Sequence, residues 1–328
     1  MSLLSYDFMQ RALLAALLTG LAAPAIGTYL VQRRLALMGD GLGHVALTGV
    51  ALGLLTGWAP VWTAVVVATI GAVLIEFVRA RGRASADVAL AMLFYGGIAG
   101  GVLLTGLAGS TAATLNTYLF GSITTVSVTD LWVIVGLAAV VLVLCVGLRP
   151  QLFAVCQDEE YARVAGLSVR VYNVLIAVMA AVTVTVAMRT VGLLLVSALM
   201  VVPVATAQQL TRGFRATFAL ALVLGVIPSL TGVVFSYYVD VAPGASIVVI
   251  ALIGFALAWP VGSLLRHRRY LRADGEDPRL AGVHVAAEDH RHVHGVSCGH
   301  PAVSHEDHTD YLHDGHLHAA HGPHYDEH

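Results

Sequence analysis

An acid and an imidazole four residues apart are the side chains of this sequence whose types and spacing point to chemistry. Asp40 and His44 lie in the mostly apolar stretch RRLALMGDGLGHVALTGVALG, residues 33–53. On a helix they share one face, so a carboxylate and an imidazole can bind one metal ion there. Two ligands are too few for a zinc-class ion, which prefers four. Two copies of the chain facing across a pore would supply two Asp and two His.

A structural alternative for this pair stays open. Asp40 could cap a helix that begins near residue 40, with His44 as a core histidine whose polar atoms are satisfied. The glycines at 39, 41 and 43 fit that arrangement, and they also allow helices to approach closely. Against it stands the cost of burying an ionisable group in a bilayer, about 2.5–3.5 kcal/mol on insertion scales.

Histidine is concentrated at the other end of the chain. Of 15 histidines, His44 is the only one before residue 267. The segment after that residue has no apolar periodicity, so we expect a disordered or loosely ordered tail. Its mixture of histidine with Asp and Glu favours metal binding, although a neutral solvated tail or an expression tag stays possible. The candidate tail ligands act collectively and are His284, His290, His292, His294, His300, His305, His308, His313, His316, His318, His321, His324 and His328.

The elements that must position Asp40 and His44 are membrane helices. The 328 residues are 58% hydrophobic with a mean hydropathy of +0.80, and apolar blocks of about 20 residues recur along the chain. Strands of a barrel would instead alternate in hydropathy. The sequence predicts an all-α polytopic membrane protein with about 8–9 transmembrane helices, divided into a permease domain (1–265) and a His-rich tail (266–328). The candidate spans are roughly 10–32, 36–57, 60–80, 85–107, 128–148, 169–188, 190–210, 214–239 and 243–265.

The arginines predict the orientation of these spans. The chain has 18 basic residues, all of them arginine, and with nine spans only Arg11 and Arg189 lie on the side opposite the others. Loops rich in arginine face the cytoplasm. The N-terminus is therefore expected outside and the tail inside, in a bacterial cytoplasmic membrane.

Several functions are excluded by what the sequence lacks. Without lysine there is no G-x-x-x-x-G-K-[ST] motif, so the chain cannot itself be a P-loop ATPase. It has no H-E-x-x-H motif and no series of acids within the spans of the kind found in proton-coupled carriers. Cys145, Cys156 and Cys298 form no C-x-x-C motif, which gives no indication of a structural zinc or redox site.

Three motifs resemble those of the membrane permeases of bacterial metal-ion ATP-binding-cassette importers, of the zinc, manganese and iron-chelate type. The first is residues 33–53, similar to R-R-x-A-L-x-G-D-x-L-S-H-A, with Gly43 and Val45 where Ser and Ala are usual. The second is VGLLLVSALMVVPVATAQQL (191–210), and the third is DEEYARVAGLSVRVYN (158–173). The likeness runs from about residue 8 to 265 and does not include the His-rich tail.

This resemblance implies a transport subunit, not an enzyme. It would pass a divalent metal, with zinc favoured and manganese or iron possible, from an external metal-binding protein to the cytoplasm through a homodimeric pore. No permanently bound cofactor and no nucleic acid partner are expected. The third motif would dock on a separate cytoplasmic ATPase, with the contact residues Asp158, Glu159, Glu160, Ala162 and Gly166. In the second, Ser197 and Pro203 are candidates for close packing and a hinge beside the pore.

Other functions stay open from the residues alone. A secondary carrier driven by an ion gradient would transport metal without ATP. A metal-sensing membrane protein would use the tail and show no flux. The segment 158–166 could also be an ordinary charged loop.

Overall fold

A computed structural model describes residues 6–81, 86–109, 118–121, 127–188, 192–276, 285–286, 299–305, 308–313, 316–321 and 324–327. Contacts divide the chain into two units, Met1–Leu264 and Leu265–His328. The helices are α1 (Asp7–Gln32), α2 (Met38–Thr56), α3 (Pro60–Ala80), α4 (Ala86–Leu107), α5 (Val128–Gly147), α6 (Arg149–Gln157), α7 (Glu159–Val164), α8 (Val169–Met188), α9 (Leu193–Leu210), α10 (Phe214–Val239) and α11 (Pro243–Glu276).

The predicted fold class is confirmed: the described part of the chain has eight helices long and apolar enough to cross a membrane. They are α1–α5, α8, α10 and the part of α11 up to Leu264. The remaining predicted span, 190–210, corresponds to α9, whose described apolar part, Val196–Leu210, is shorter. The helices differ in how much of their most apolar 18 residues is buried. This share is 72% in α1 and in α2 but only 22% in α4, α5 and α11. Helix α8, with 67% of its apolar window buried, forms the interior of the bundle together with α1 and α2.

Small residues let α1 and α2 occupy this interior. Along α1 the buried face carries Ala12, Ala16, Gly20 and Ala23, and helix α2 is similarly rich in glycine. Helix α2 packs on α3, α4, α8 and α9, while α1 packs mainly on α8, α9 and α10. Small side chains bring helix backbones close enough for van der Waals contact to hold them together in lipid.

The connection between α1 and α2 is a tight hydrogen-bonded turn. The Arg34 amide donates to the Val31 carbonyl at 3.0 Å, and the Leu35 amide donates to the Leu30 carbonyl at 2.8 Å. This pair of bonds is the Schellman motif of a helix end. Arg34 takes the left-handed position of that motif with φ 59°, where glycine is usual. Helix α2 then begins at Met38, so its start is held close to the end of α1.

Within the predicted His-rich tail, the described residues are short separate stretches. They contain β1 (Val285–Ala286), β2 (Ala302–His305), β3 (His308–His313), β4 (His316–His321) and β5 (His324–Glu327). These strands pair antiparallel in the order β1-β5-β4-β3-β2.

Candidate metal site and coupling region

Asp40 and His44 lie side by side in the first two turns of α2. The Asp40 Oδ1 atom is 3.9 Å from the His44 Nε2 atom, too far for a hydrogen bond. In a tetrahedral site with ligand bonds of about 2.1 Å, two donor atoms lie about 3.4 Å apart, so the two side chains need to approach by about half an ångström to share one ion. The Asp40 side chain is 29% exposed and that of His44 only 7%. The acid therefore opens towards the surface of the chain while the imidazole is buried behind it.

The N-cap alternative for Asp40 does not match the helix start. The N-cap of α2 is Leu37, which makes no side-chain capping bond, and Asp40 is the third residue of the helix. The helix dipole favours a negatively charged side chain in the first turn, and a carboxylate that binds a metal ion is such a side chain. The pair thus lies near the end of α2 that follows the arginines, away from its middle.

The ring of His44 is held by α4. The ring of Phe94 meets it edge-on with 4.5 Å between ring centroids. The His44 Nδ1 atom is buried and has no hydrogen-bond partner within the described part of the chain. Behind the ring, a Cβ atom on Gly97 would lie 2.6 Å from the His44 carbonyl carbon, so only glycine permits this approach of α4. The Thr48 hydroxyl donates to the Gly97 carbonyl at 2.7 Å and joins the two helices there.

The second predicted motif is next to the first. A Cβ atom on Gly39 would lie 3.8 Å from the Cβ atom of Ser197, which places Ser197 of α9 beside the residue that precedes Asp40. Pro203 is buried further along α9 and, with Pro228 of α10, lines an apolar cavity of about 250 Å³. The structure therefore brings Ser197 to the candidate site, whereas Pro203 lies in apolar packing between helices.

Within the described part of one chain, Asp40 and His44 have no third ligand. The residues whose side chains are described contain no group of three or more His, Cys, Asp or Glu that could hold a metal ion. A four-ligand site built on this pair therefore needs donors from outside those residues.

The predicted coupling segment, 158–166, forms α7 and the turn that follows it. Asp158 caps α7, because its Oδ1 atom accepts hydrogen bonds from the amides of Glu160 at 2.8 Å and Tyr161 at 3.0 Å. Gly166 ends it with φ +82°. The Gly166 amide donates to Arg163 and the Leu167 amide to Ala162, which is again a Schellman motif. Asp158 and Gly166 thus set the two ends of a six-residue helix.

The exposed surface of α7 differs from the set of contact residues predicted from sequence. Ala162 is fully buried, packed in a small cluster with Val155 and Val169, so it does not form part of the surface. Tyr161 is 68% exposed and Val164 is 88% exposed. An apolar surface of this kind, beside exposed Glu160, is what a docking helix would present to a partner.

Glu159 points back into the chain. Its Oε1 atom accepts a hydrogen bond from Arg33 Nη2 at 2.7 Å and one from Asn173 Nδ2 at 3.1 Å, and Arg79 Nη2 is 3.7 Å away. Arg79 also donates twice to Glu76, at 2.8 and 3.1 Å. We call these five residues the charge network. Burial lowers the pKa of Arg33 and the nearby Arg79 adds to this, while Glu76 and Glu159 act in the opposite direction.

Comparison with known proteins identifies the family. Residues 5–261 match the model of the ABC 3 transport family. This chain belongs to the ABC 3 transport family. It is a multi-pass membrane protein and the permease subunit of a metal importer, so the resemblance of its three motifs is confirmed.

Relatives and a solved structure agree with this assignment. The "Probable metal transport system membrane protein" of Treponema pallidum (strain Nichols) is 38% identical over 261 residues, 76% of this chain and 96% of that protein. The manganese transport system membrane protein MntC of Halalkalibacterium halodurans is 37% identical, covering 83% of this chain and 94% of its own length. The structure of PsaBC from Streptococcus pneumoniae in complex with Fab matches with a TM-score of 0.72 and 30% identity, over 78% of this chain and 92% of that chain.

Most residues of the charge network of this ABC 3 permease are not among the candidate site residues predicted from the sequence. Of its members only Glu159 was a candidate, whereas Arg33 and Arg79 served to orient the spans. One signal was present, since Glu76 and Arg79 lie three residues apart on a helix that is otherwise apolar. Charged pairs inside a span need a reason of their own.

The tail histidines lie beyond the residues that match the family. His318 is buried within the tail unit and His300 is partly exposed. For others the backbone alone is described, namely His305, His308, His313, His316, His321 and His324. The remaining candidates, His284, His290, His292, His294 and His328, lie outside the described residues.

Proposed function

We propose that two copies of this permease enclose a pore for a divalent metal ion, with Asp40 and His44 of each copy as its ligands. The observation that carries this is the 3.9 Å between the two side chains on one face of α2. Two such pairs make the four ligands that a zinc-class ion prefers. The partial exposure of Asp40 leaves its carboxylate available to a second copy.

The energy for transport comes, in this proposal, from a separate ATP-hydrolysing subunit. The chain contains no lysine and so no P-loop lysine, whereas α7 presents Tyr161 and Val164 on its surface. This helix lies on the arginine-rich side of the chain, which the positive-inside rule assigns to the cytoplasm of a bacterial inner membrane. On the opposite side an external metal-binding protein delivers the ion.

Manganese is the first ion to test as cargo, and zinc the second. The relative named as a manganese transport protein is 37% identical to this chain. A site of carboxylate and imidazole suits manganese, ferrous iron and zinc alike, while a tail rich in histidine favours zinc. The metal is cargo in every case, and the tail, on the cytoplasmic side, collects ions that leave the pore.

The test is uptake by the complete complex in proteoliposomes, with the external protein outside and ATP inside. Asp40→Ala and His44→Ala should each lower manganese and zinc uptake by about tenfold or more, because half of the ligands are lost. The ATPase subunit should still co-purify, and the nucleotide-free complex should bind one ion for two chains.

Asp130→Ala is the matched control, because Asp130 is also the third residue of a span but has no histidine four residues later. Asp130 also completes a capping box with Ser127, so its loss should lower stability while uptake persists. If Asp40 served only the start of its helix, uptake by the Asp40 variant would persist as well. Uptake at the normal rate by the Asp40 and His44 variants would contradict the ligand assignment. Uptake without ATP, driven by an ion gradient, would instead establish a secondary carrier.

A further inference from the structure

The charge network joins α7, the helix proposed to dock on the ATPase, to three other helices through one carboxylate oxygen of Glu159. Glu159 is the first residue of α7, and its Oε1 atom faces Arg33 from the end of α1, Arg79 from α3 and Asn173 from α8. The nearest of these contacts is 2.7 Å, to Arg33. A displacement of α7 therefore acts directly on the end of α1.

Burial makes these contacts hard to break one at a time. The side chains of Arg33 and Glu76 are each only 4% exposed, while that of Glu159 is 42% exposed. Two arginines and two glutamates balance in charge, and removing one buried partner leaves an uncompensated charge. The contacts should therefore move together with the helices that carry them. Because Arg33 is buried, it cannot act by touching another protein.

The end of α1 also connects the network to the metal pair along the chain. Asp40 is the seventh residue after Arg33, and the Leu35 amide bonded to the Leu30 carbonyl holds the turn between them. Leu35 and Met38 are buried, so this connection packs against the bundle instead of hanging free. A shift of Arg33 is thus carried into the first turn of α2.

We propose that Arg33 and Glu159 are positioning residues that transmit the movement of α7 to Asp40 at the start of α2. The inference rests on the proposed function, since it assumes that α7 docks on the ATPase and that Asp40 binds the metal. ATP hydrolysis would then change the geometry of the metal pair through the end of α1, without a contact between the ATPase and the pore.

A double-mutant cycle on the complete complex tests this. Arg33→Gln and Glu159→Gln should each lower uptake about tenfold and raise the number of ATP molecules hydrolysed for each ion. The double variant should be no worse than the more impaired single variant, because both remove the same contact. The thermal midpoint of unfolding and the amount of ATPase that co-purifies are measured in parallel. The size of the coupling defect in each variant should not correlate with changes in either of them. Arg215→Gln is the control, an exposed arginine in the first turn of α10 that lies outside the charge network and the turn between α1 and α2, and it should transport normally.

Each contrary result has a distinct meaning. If Glu159→Gln is impaired while Arg33→Gln transports normally, Glu159 acts at the ATPase surface and the inference is wrong. Losses that multiply in the double variant, or that only follow a lower thermal midpoint, also overturn it. Should Arg33→Gln fail to accumulate, Arg33→Lys keeps a positive charge facing Glu159 and should therefore consume less ATP for each ion than Glu159→Gln. Equal ATP consumption by these two variants would also overturn the inference. Failure of the wild-type complex to transport metal with ATP would instead remove the proposed function.

Discussion

The imidazole of His44 depends on neighbours that leave it very little space. Phe94 meets the ring edge-on, and the backbone of α4 passes behind it at Gly97. A metal ligand must be held within a few tenths of an ångström to bind well, and rigid packing provides this. The buried ring nitrogen with no hydrogen-bond partner within the described residues shows that packing, more than hydrogen bonding, orients the ring.

Gly97→Ala is therefore expected to damage the site without touching a ligand. The added Cβ atom would lie 2.6 Å from the backbone of both His44 and Val45. Overpacking of this kind costs about 1–3 kcal/mol of the free energy of unfolding, and the helices must move apart to relieve it. Thermal unfolding and metal uptake should both fall.

Gly96→Ala provides the comparison at the adjacent position. A Cβ atom on Gly96 would meet nothing within 4 Å, and alanine is the better helix former by up to about 1 kcal/mol. This variant should be at least as stable as the wild type and should transport normally. Equal behaviour of the two variants would show that the close approach of α4 does not matter.

Short helices at the arginine-rich side have ends that are defined by single residues. The Asp158 side chain accepts two amide hydrogen bonds at the start of α7, and Gly166 ends the helix in the left-handed region. Both residues were predicted to contact an ATPase, and both also have a role within the chain. Their effect on docking is expected through the shape of the helix that carries Tyr161 and Val164.

Gly166→Ala tests that role at the scale of the helix. An L-residue in the left-handed region costs about 1–2 kcal/mol, so the last turn of α7 should change conformation. We expect weaker co-purification of the ATPase or more ATP hydrolysed for each ion. Open space around the position means that the effect comes from φ and not from a clash.

Gly166→Asn separates this conformational effect from the mere loss of glycine. Asparagine tolerates the left-handed region better than alanine, so the Asn variant should retain more coupling. If the alanine and asparagine variants couple as well as the wild type, the end of α7 does not govern docking.

The whole chain has apolar surfaces and aromatic anchors suited to a bilayer. Trp58 and Trp132 are each 72% exposed and Trp62 is 54% exposed, and all three lie at ends of spans that the arginine pattern assigns to the outer side. Tryptophan is enriched at such interfaces. The side chains of the peripheral helices are free to face lipid or a second copy of the chain.

The tail is expected to be dispensable for basal transport, because the residues that match the family end at 261. Truncation after Arg272 should leave uptake at low metal unchanged and alter it at high metal, where histidines capture emerging ions. Neutral imidazole binds metal and imidazolium does not, so the capacity of the tail should fall as the pH drops through about 6.5. Uptake curves measured across metal concentrations check this, and identical curves would make the tail a passive extension.

Properties that depend on neighbours in sequence could be predicted without the structure. Hydropathy over about 20 residues predicts the membrane helices, and a spacing of four places Asp40 and His44 on one helix face. Both depend on local periodicity, which the chain carries along its length. The structure retains them, with the helix that bears the pair starting at Met38.

Contacts between distant segments were decided only by the tertiary structure. Arg33 and Glu159 are 126 residues apart, yet their side chains meet at 2.7 Å. Ala162 is buried by neighbours on other helices, and the backbone of Gly97 lies against His44. Such contacts depend on how close two helices can come and at which residues they cross. Those distances follow from the packing of the whole bundle, which no single segment of the sequence contains.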